Sequence, residues 1–277
     1  MNKYLNYPGY VLLHLLIVAL ITVPTVLLKK GYMVPFHQGF FCTDPALSFP
    51  ILPCKISYYF VMMCGLLSHI AVIILTEIVL YYLYGKGLAP LEFVVRMYIY
   101  IGLLVLGESI ELLFSTTTKY LVGRLRPTFF NSCRLNFTCT GVGYYNFSDF
   151  NCLRNDTLMM QELRLSFPSE HASLSFYLAT TLTIYINNRW ILPYSFITIR
   201  TFVQVGSFYA AVLCSLDQVT CFNNHMSDMY SGALLGILVA VFTWGYSLRI
   251  LCFVMYRQDT LKVKLPKLPN IRKRKTR

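Results

Sequence analysis

Residues 58–84 read YYFVMMCGLLSHIAVIILTEIVLYYLY, with Glu77 the one formal charge. A bilayer's hydrocarbon core is about 30 Å thick, and a helix rising about 1.5 Å per residue crosses it in about 20 apolar residues. This segment is long enough to span it. The same reading repeats outward from it. Gly9 to Leu28 has no formal charge, and Met97 to Ser115 contains Glu108 and Glu111. Ser173 to Ile186 is short, Thr201 to Leu216 lies between Arg200 and Asp217, and Tyr230 to Tyr256 has Arg249 towards its end. The chain is 56% hydrophobic and 13% charged, against about 45–50% and about 25% in soluble domains. That balance excludes a disordered protein and argues against a soluble enzyme. The expected fold is all-α: one polytopic membrane domain, residues 1–256, of six transmembrane helices, followed by a basic cytosolic tail, residues 257–277.

The charge sets the expected sidedness. The formal net charge is +12, and the tail from Arg257 to Arg277 holds nine basic residues against the single acid Asp259. A strongly basic end stays in the cytosol near anionic headgroups, so six spans put both termini there. A membrane-embedded chain offers no groove to nucleic acid, and no nucleic-acid partner is expected. The first stretch, with its apolar run Val11 to Leu28, exceeds a signal peptide's usual 7–15 residues and reads as an uncleaved helix. The loops Lys29–Ser57, Lys119–Ala172 and Asp217–Met229 then face the lumen or the exterior. The acceptor motifs Asn136-Phe-Thr, Asn146-Phe-Ser and Asn155-Asp-Thr all lie in the Lys119–Ala172 loop, where glycosylation is possible. Cys42, Cys54, Cys133, Cys139, Cys152 and Cys221 share that side, which permits disulfides. Cys42–Cys54 is one plausible pair, and some pairing among Cys133, Cys139 and Cys152 another; connectivity does not follow from spacing. No CxxC is present, and no metal site is expected.

Three polar clusters lie at the lumenal face. The first is Lys119-Tyr-Leu-Val-Gly-Arg-Leu-Arg126-Pro127. On a continuing helix Lys119 and Arg126 would share one face, two turns apart, although Pro127 discourages continuation. Arg as a planar fork and Lys as a point charge grip a phosphate well. The second is Ser166-Phe-Pro168-Ser169-Glu170-His171, ahead of an apolar run. A helix beginning there would offer N–H groups and a Ser hydroxyl to an anion, with His171 able to protonate a leaving oxygen. The third runs Asp217-Gln218-Val-Thr-Cys-Phe-Asn223-Asn224-His225-Met-Ser-Asp228. Asp228 stands three residues after His225 and four after Asn224, so on a helix it can meet either side chain. Each cluster alone also reads as an ordinary helix boundary.

Together, in this order and on one side, the three resemble the motifs of the lipid phosphate phosphatases, the type 2 phosphatidic acid phosphatases. That family's pattern is Lys-x6-Arg-Pro, Pro-Ser-Gly-His and Ser-Arg-x5-His-x3-Asp on six transmembrane helices. The resemblance implies that Lys119, Arg126 and Ser169 hold the substrate phosphate and that His171 protonates the leaving alcohol. The third-motif His attacks phosphorus, and the Asp, here Asp228, orients it. It implies no cofactor and no metal. The implied ligands are phosphatidate, lysophosphatidate, sphingosine 1-phosphate or ceramide 1-phosphate, in the plasma membrane, endoplasmic reticulum or Golgi.

The chain departs from the pattern at catalytically important places. In register, Asn224 occupies the nucleophile position, Gln218 the phosphate-binding Arg, and Asp217 the Ser before it. Glu170 replaces the Gly of the second motif. An amide nitrogen has no usable lone pair for attack, and Gln218 is neutral where a cation belongs. Glu170 adds a repulsion of about 1–4 kcal/mol against a phosphate near 4 Å. Losing a nucleophile costs about six powers of ten in another hydrolase. An Asn-His in place of His-His is similar to the inactive lipid phosphatase-related (plasticity-related) proteins. The expected function is a pseudophosphatase that binds phospholipid or lysophospholipid phosphate, alone or as a homo- or hetero-oligomer with related phosphatases. The alternatives are an active phosphatase using His225 as nucleophile, and a purely structural membrane scaffold.

Overall fold

The computed structural model describes residues 7–84, 90–135, 143–146, 152–153, 157–190, 197–245 and 247. The basic tail, residues 257–277, and Asn136 and Asn155 lie outside them; Asn146 is described and exposed. The helices in chain order are α1 (Tyr7–Lys29), α2 (Tyr58–Tyr84), α3 (Pro90–Val122), α4 (Phe129–Cys133), α5 (Thr157–Glu162), α6 (Glu170–Arg189), α7 (Ile197–Thr220) and α8 (Met226–Ala240). A π-helical turn, Val241–Gly245, continues α8. Two short strands, β1 (Phe40–Phe41) and β2 (Tyr144–Tyr145), pair antiparallel.

Among the described residues, five helices are long and apolar enough to cross a membrane: Val11–Lys29, Tyr58–Leu83, Phe93–Val122, Ile197–Thr220 and Met226–Gly245. The expected fourth stretch, Ser173 to Ile186, lies within α6, which is not among these five. Its polarity has a cause. It runs through the centre of the bundle, packed on α2, α3, α7 and α8. Its Ser173, Ser175, Thr180 and Thr181 are buried against protein. The lipid-facing role falls to other surfaces. Leu12, Leu16 and Leu20 of α1, Phe202 and Val205 of α7, and Leu234 and Leu238 of α8 are all exposed apolar side chains. A bilayer would cover such a belt, and water would not tolerate it over this extent.

Close packing of α6 on α8 needs glycine. A Cβ on Gly232 would stand 2.4 Å from the Ser169 carbonyl oxygen, and one on Gly236 2.1 Å from that of Ser173. Small residues let helix backbones approach in this way where lipid supplies no hydrophobic drive. The core around α6 is aromatic and aliphatic: Leu104, Leu174, Tyr177, Tyr185 and Trp244 are all buried. Glu77, the lone charge of the 58–84 stretch, is neutralised inside it. Arg189 donates to both Glu77 oxygens, Nε to Oε1 and Nη2 to Oε2, each at 2.7 Å.

The described residues of the 119–172 segment contain regular structure. They carry the end of α3, then α4, β2 and α5. Disulfides shape the segment, and here the expected Cys42–Cys54 pair is overturned. Cys54 is bonded to Cys221, and Cys133 to Cys152. Cys42 is also in a disulfide. Cys54 immediately precedes α2 and Cys221 follows α7, so their bond joins two ends that are distant in sequence but adjacent at one rim of the bundle.

Candidate lipid-phosphate site

Lys119 lies in the last turn of α3, and Gly123 ends the helix with φ +61°. A Cβ at Gly123 would stand 1.9 Å from the Phe36 carbonyl oxygen, so the residue is required both for its conformation and for its lack of a side chain. The expectation that Lys119 and Arg126 share a helical face is therefore corrected, since the chain leaves the helix between them. Non-helical pairing brings Arg126 back. Its amide donates to the Leu163 carbonyl at 2.9 Å, and the Ser166 amide donates to the Arg124 carbonyl at 3.1 Å. The first and second motifs are thus laced together by backbone. Lys119 is buried, 7% exposed, and commits one of its three N–H donors to the Leu165 carbonyl at 2.7 Å. Arg126 donates to Asn223 Oδ1. Burial pushes its guanidinium pKa down, and the charges of Glu162 and Glu170 oppose that.

The second motif opens α6 as expected. Ser169 is the N-cap and accepts from the Ala172 amide at 3.5 Å. Its hydroxyl, expected on phosphate, satisfies its own helix start. The Ser169 amide donates to the Asp228 carbonyl at 3.0 Å, which joins the second motif to the third. Glu170 is the first helical residue, where its negative charge suits the helix N-terminus. Its carboxylate pairs with Lys29 Nζ at 3.3 Å. Burial opposes its ionisation, but the charges of Lys119 and Lys29 hold the carboxyl below its ordinary range. The His171 ring packs edge-on against Tyr58, centroids 5.7 Å apart. Burial lowers its pKa to about 4, so the imidazole is neutral near pH 7. Its Nε2 is buried and without a hydrogen-bond partner.

The third motif departs from its expected geometry. Asn224 is buried and donates from Nδ2 to the Ser166 carbonyl at 2.5 Å. Asp228, fully buried, does not orient it. Its Oδ2 accepts from Ser166 Oγ at 2.6 Å and from the His225 amide at 2.9 Å, and lies 3.1 Å from His225 Nδ1. Its Oδ1 accepts from Arg124 Nη1 at 2.6 Å, and the same nitrogen donates to Ser227 Oγ at 2.7 Å. Gln218, 1% exposed, is built into the scaffold. Its Nε2 donates to the Ile56 carbonyl at 3.1 Å, and its Oε1 accepts from Asn223 Nδ2 at 2.7 Å. Asp217 accepts the amide of Ile56 at 2.9 Å. With Cys54–Cys221 alongside, Asp217 and Gln218 form a joint between α7 and the start of α2.

The structure therefore brings Lys119, Arg126, Ser169, Glu170 and His171 to one end of the bundle, with Gln218 and Asn224 built in beside them. His225 lies 3.1 Å from Asp228 and 3.4 Å from Ser166 Oγ. With Arg124, Gln38, Asp44 and Tyr144 it lines a cavity of about 230 Å³ to which Lys119, Arg126, Ser169 and His171 do not contribute. Sequence reasoning assigned no role to Arg124, Ser166, Asn223 or Lys29. Only Arg124 carried a signal, as a second cation in the first motif. The others are legible only once the segments meet.

Comparison with known proteins places the chain in a family. Residues 96–251, which contain all three motifs, match the family model of the PAP2 superfamily. Rat phospholipid phosphatase 1 is 26% identical over 237 residues, covering 84% of this chain and 82% of its own. Human phospholipid phosphatase 2 is 27% identical over 241 residues, covering 86% and 82%. A crystal structure of a transmembrane PAP2-type phosphatidylglycerolphosphate phosphatase from Bacillus subtilis superposes with a TM-score of 0.40 at 15% identity, over 87% of this chain and 96% of that one. With the family match spanning more than half its length and its motifs converging at one end of a helical membrane bundle, this chain belongs to the lipid phosphate phosphatases of the PAP2 superfamily.

Proposed function

We propose that this protein binds a lipid phosphate at the lumenal end of its bundle and hydrolyses it little or not at all. One observation carries the reading. At the position of the family nucleophile, Asn224 holds its amide nitrogen against the Ser166 carbonyl as a donor. An amide lone pair is delocalised and cannot attack phosphorus, and the carboxylate that should orient the nucleophile serves Ser166, His225 and Arg124 instead. Lys119, Arg126 and the Ser169 helix start supply the phosphate contacts, and the similarity to phospholipid phosphatases points to phospholipid phosphates as ligands. We read the 119–172 segment as lumenal, both termini as cytosolic, and assembly with itself or an active relative as a route to regulation.

A second reading has an observation of its own. His225 Nδ1 sits 3.1 Å from Asp228 Oδ2, a spacing that would orient an imidazole for attack through Nε2. The cavity it lines does not include Lys119, Arg126 or His171, and attack requires the phosphate they hold to stand in line with it.

Phosphate release from phosphatidate, lysophosphatidate and sphingosine 1-phosphate tests both. Purified protein should bind labelled lipid and release no phosphate, while a relative with the His nucleophile releases it under the same conditions. Turnover comparable to the relative's would refute the first reading. Absence of any lipid binding would leave a structural scaffold. Endoglycosidase treatment of tagged protein should increase its mobility; an unshifted band would remove the glycosylation, and a tail protected from protease outside sealed microsomes would reverse the sidedness.

A further inference from the structure

Lys29 is the last residue of α1 and lies outside all three motifs, yet it reaches the phosphate site. Two contacts hold the end of α1 there. Tyr120 Oη, next to Lys119, donates to the Leu28 carbonyl at 2.6 Å, and the Phe36 amide donates to the Tyr120 carbonyl at 2.9 Å. The Lys29 ammonium lies 5.2 Å from the centroid of the Tyr58 ring, the ring that packs against His171. On its other side it pairs with Glu170 at 3.3 Å. One departure from the family pattern, Glu170, thus lies against a cation from outside the three motifs. Glu170 brings a carboxylate to the start of α6, where a phosphate would bind, and Lys29 brings a cation to the same place.

We propose that Lys29 is a third phosphate-binding cation, supplied by α1, and that Glu170 is its resident counter-ion, which a lipid phosphate displaces on binding. The proposal rests on the lipid-phosphate reading of this site. Physically it is an exchange of anions. At rest the Glu170 carboxylate sits at the helix N-terminus with Lys29 and offsets its charge. An arriving phosphomonoester carries more charge and more acceptor oxygens than a carboxylate, so it competes for the same ammonium and the same helix start. Lys29 is suited to the transfer. Its side chain is 42% exposed against 18% for Glu170, and a flexible four-carbon stem lets the ammonium follow either partner. No bond is made or broken beyond ion pairs and hydrogen bonds. The exchange sets a threshold: ligands with a phosphomonoester dianion displace Glu170, and singly charged phosphodiester lipids do not.

Binding of labelled lysophosphatidate to the full-length protein in detergent tests this, with inorganic phosphate as competitor to separate the headgroup from the chain. Lys29→Ala should weaken binding about fivefold, Lys29→Arg should retain it, and Glu170→Gln should tighten it about fivefold, magnitudes set by a charge-assisted contact that is partly exposed. The Glu170→Gln gain should vanish in Lys29→Ala/Glu170→Gln, because the gain comes from freeing Lys29. Inorganic phosphate should compete better in Glu170→Gln than in wild type. Wild-type affinity in Lys29→Ala, or a Glu170→Gln gain that survives in the double variant, overturns the proposal. Arg126→Ala separates this failure from failure of the site. If Arg126→Ala weakens binding and Lys29→Ala does not, Lys29 alone is misassigned; if neither matters, the lipid phosphate binds elsewhere and both readings fall.

Discussion

Asp228 Oδ2 lies 3.1 Å from His225 Nδ1, while Asn224, one residue earlier, turns its amide to the Ser166 carbonyl. The Asp228 carboxylate is the hub of a joint. It links Arg124 of the first motif, Ser166 of the second and the start of α8. A fully buried carboxylate with these partners contributes to folding irrespective of chemistry. Asp228→Ala should lower stability by about 3 kcal/mol, the low end for breaking a buried ion pair because Arg124 is a third exposed. Thermal unfolding in detergent reads this, and Asp228→Asn, which keeps part of the hydrogen bonding, should lose less. An unchanged midpoint in Asp228→Ala would mean that the joint adds nothing.

The disulfide between Cys54 and Cys221 supports the other face of the third motif. It closes a loop with a sequence separation of 167 residues, and Asp217 and Gln218 bind the Ile56 backbone beside it. Cys54→Ser should destabilise the protein by about 2–5 kcal/mol. The effect should also reach the ligand, because Gln218 holds Asn223, and Asn223 holds Arg126. Lipid binding should therefore weaken in Cys54→Ser at temperatures well below unfolding. Binding equal to wild type there would uncouple the joint from the site.

How far this was legible in the sequence depended on what each feature needs. Helices such as α2 declare themselves by length and apolarity, because the bilayer demands both. α6 does not, since a helix enclosed by others can carry Ser173, Ser175, Thr180 and Thr181, and its burial is a property of neighbours distant in sequence. The positions of Lys119, Arg126, Ser169 and His171 at one end followed from motif order. The behaviour of the departures did not. Gln218 reads as a lost cation, but its bonds to Ile56 and Asn223 appear only when Cys54 meets Cys221. Glu170 reads as repulsion against phosphate, and its compensation by Lys29 lies more than a hundred residues away in the chain.

The neutral His171 makes a pH prediction. Burial holds its folded pKa near 4, below the unfolded value near 6.5, so the unfolded chain binds this proton more readily than the folded one. The stability present above pH 6.5 is therefore lost as pH falls towards 4. Between pH 7 and pH 4.5 the loss from this residue should be on the order of 2 kcal/mol. The unfolding midpoint should drop over that window, and His171→Gln should flatten the slope. A slope identical in His171→Gln would assign the pH dependence to other groups.

The proposed loss of catalysis can be tested by reintroducing the family's residues. Asn224→His returns an imidazole four residues before Asp228, but it must take Asp228 from His225, whose Nδ1 now lies 3.1 Å away. Asn224→His/His225→Ala removes that competitor and should release more phosphate than Asn224→His alone. Gln218→Arg introduces the cation of the family pattern, but it breaks the bonds to Ile56 and Asn223, so alone it should cost stability and yield no turnover. Glu170→Gly removes the resident carboxylate and lets the start of α6 approach the phosphate. Because these changes act on one phosphoryl group, their combination should exceed the product of the single effects. We expect phosphate release only in variants carrying Asn224→His, and most where Glu170→Gly and His225→Ala accompany it. Wild-type turnover that disappears in His225→Ala and persists in Asn224→Ala would instead identify His225 as the nucleophile, with Asp228 already in place to orient it.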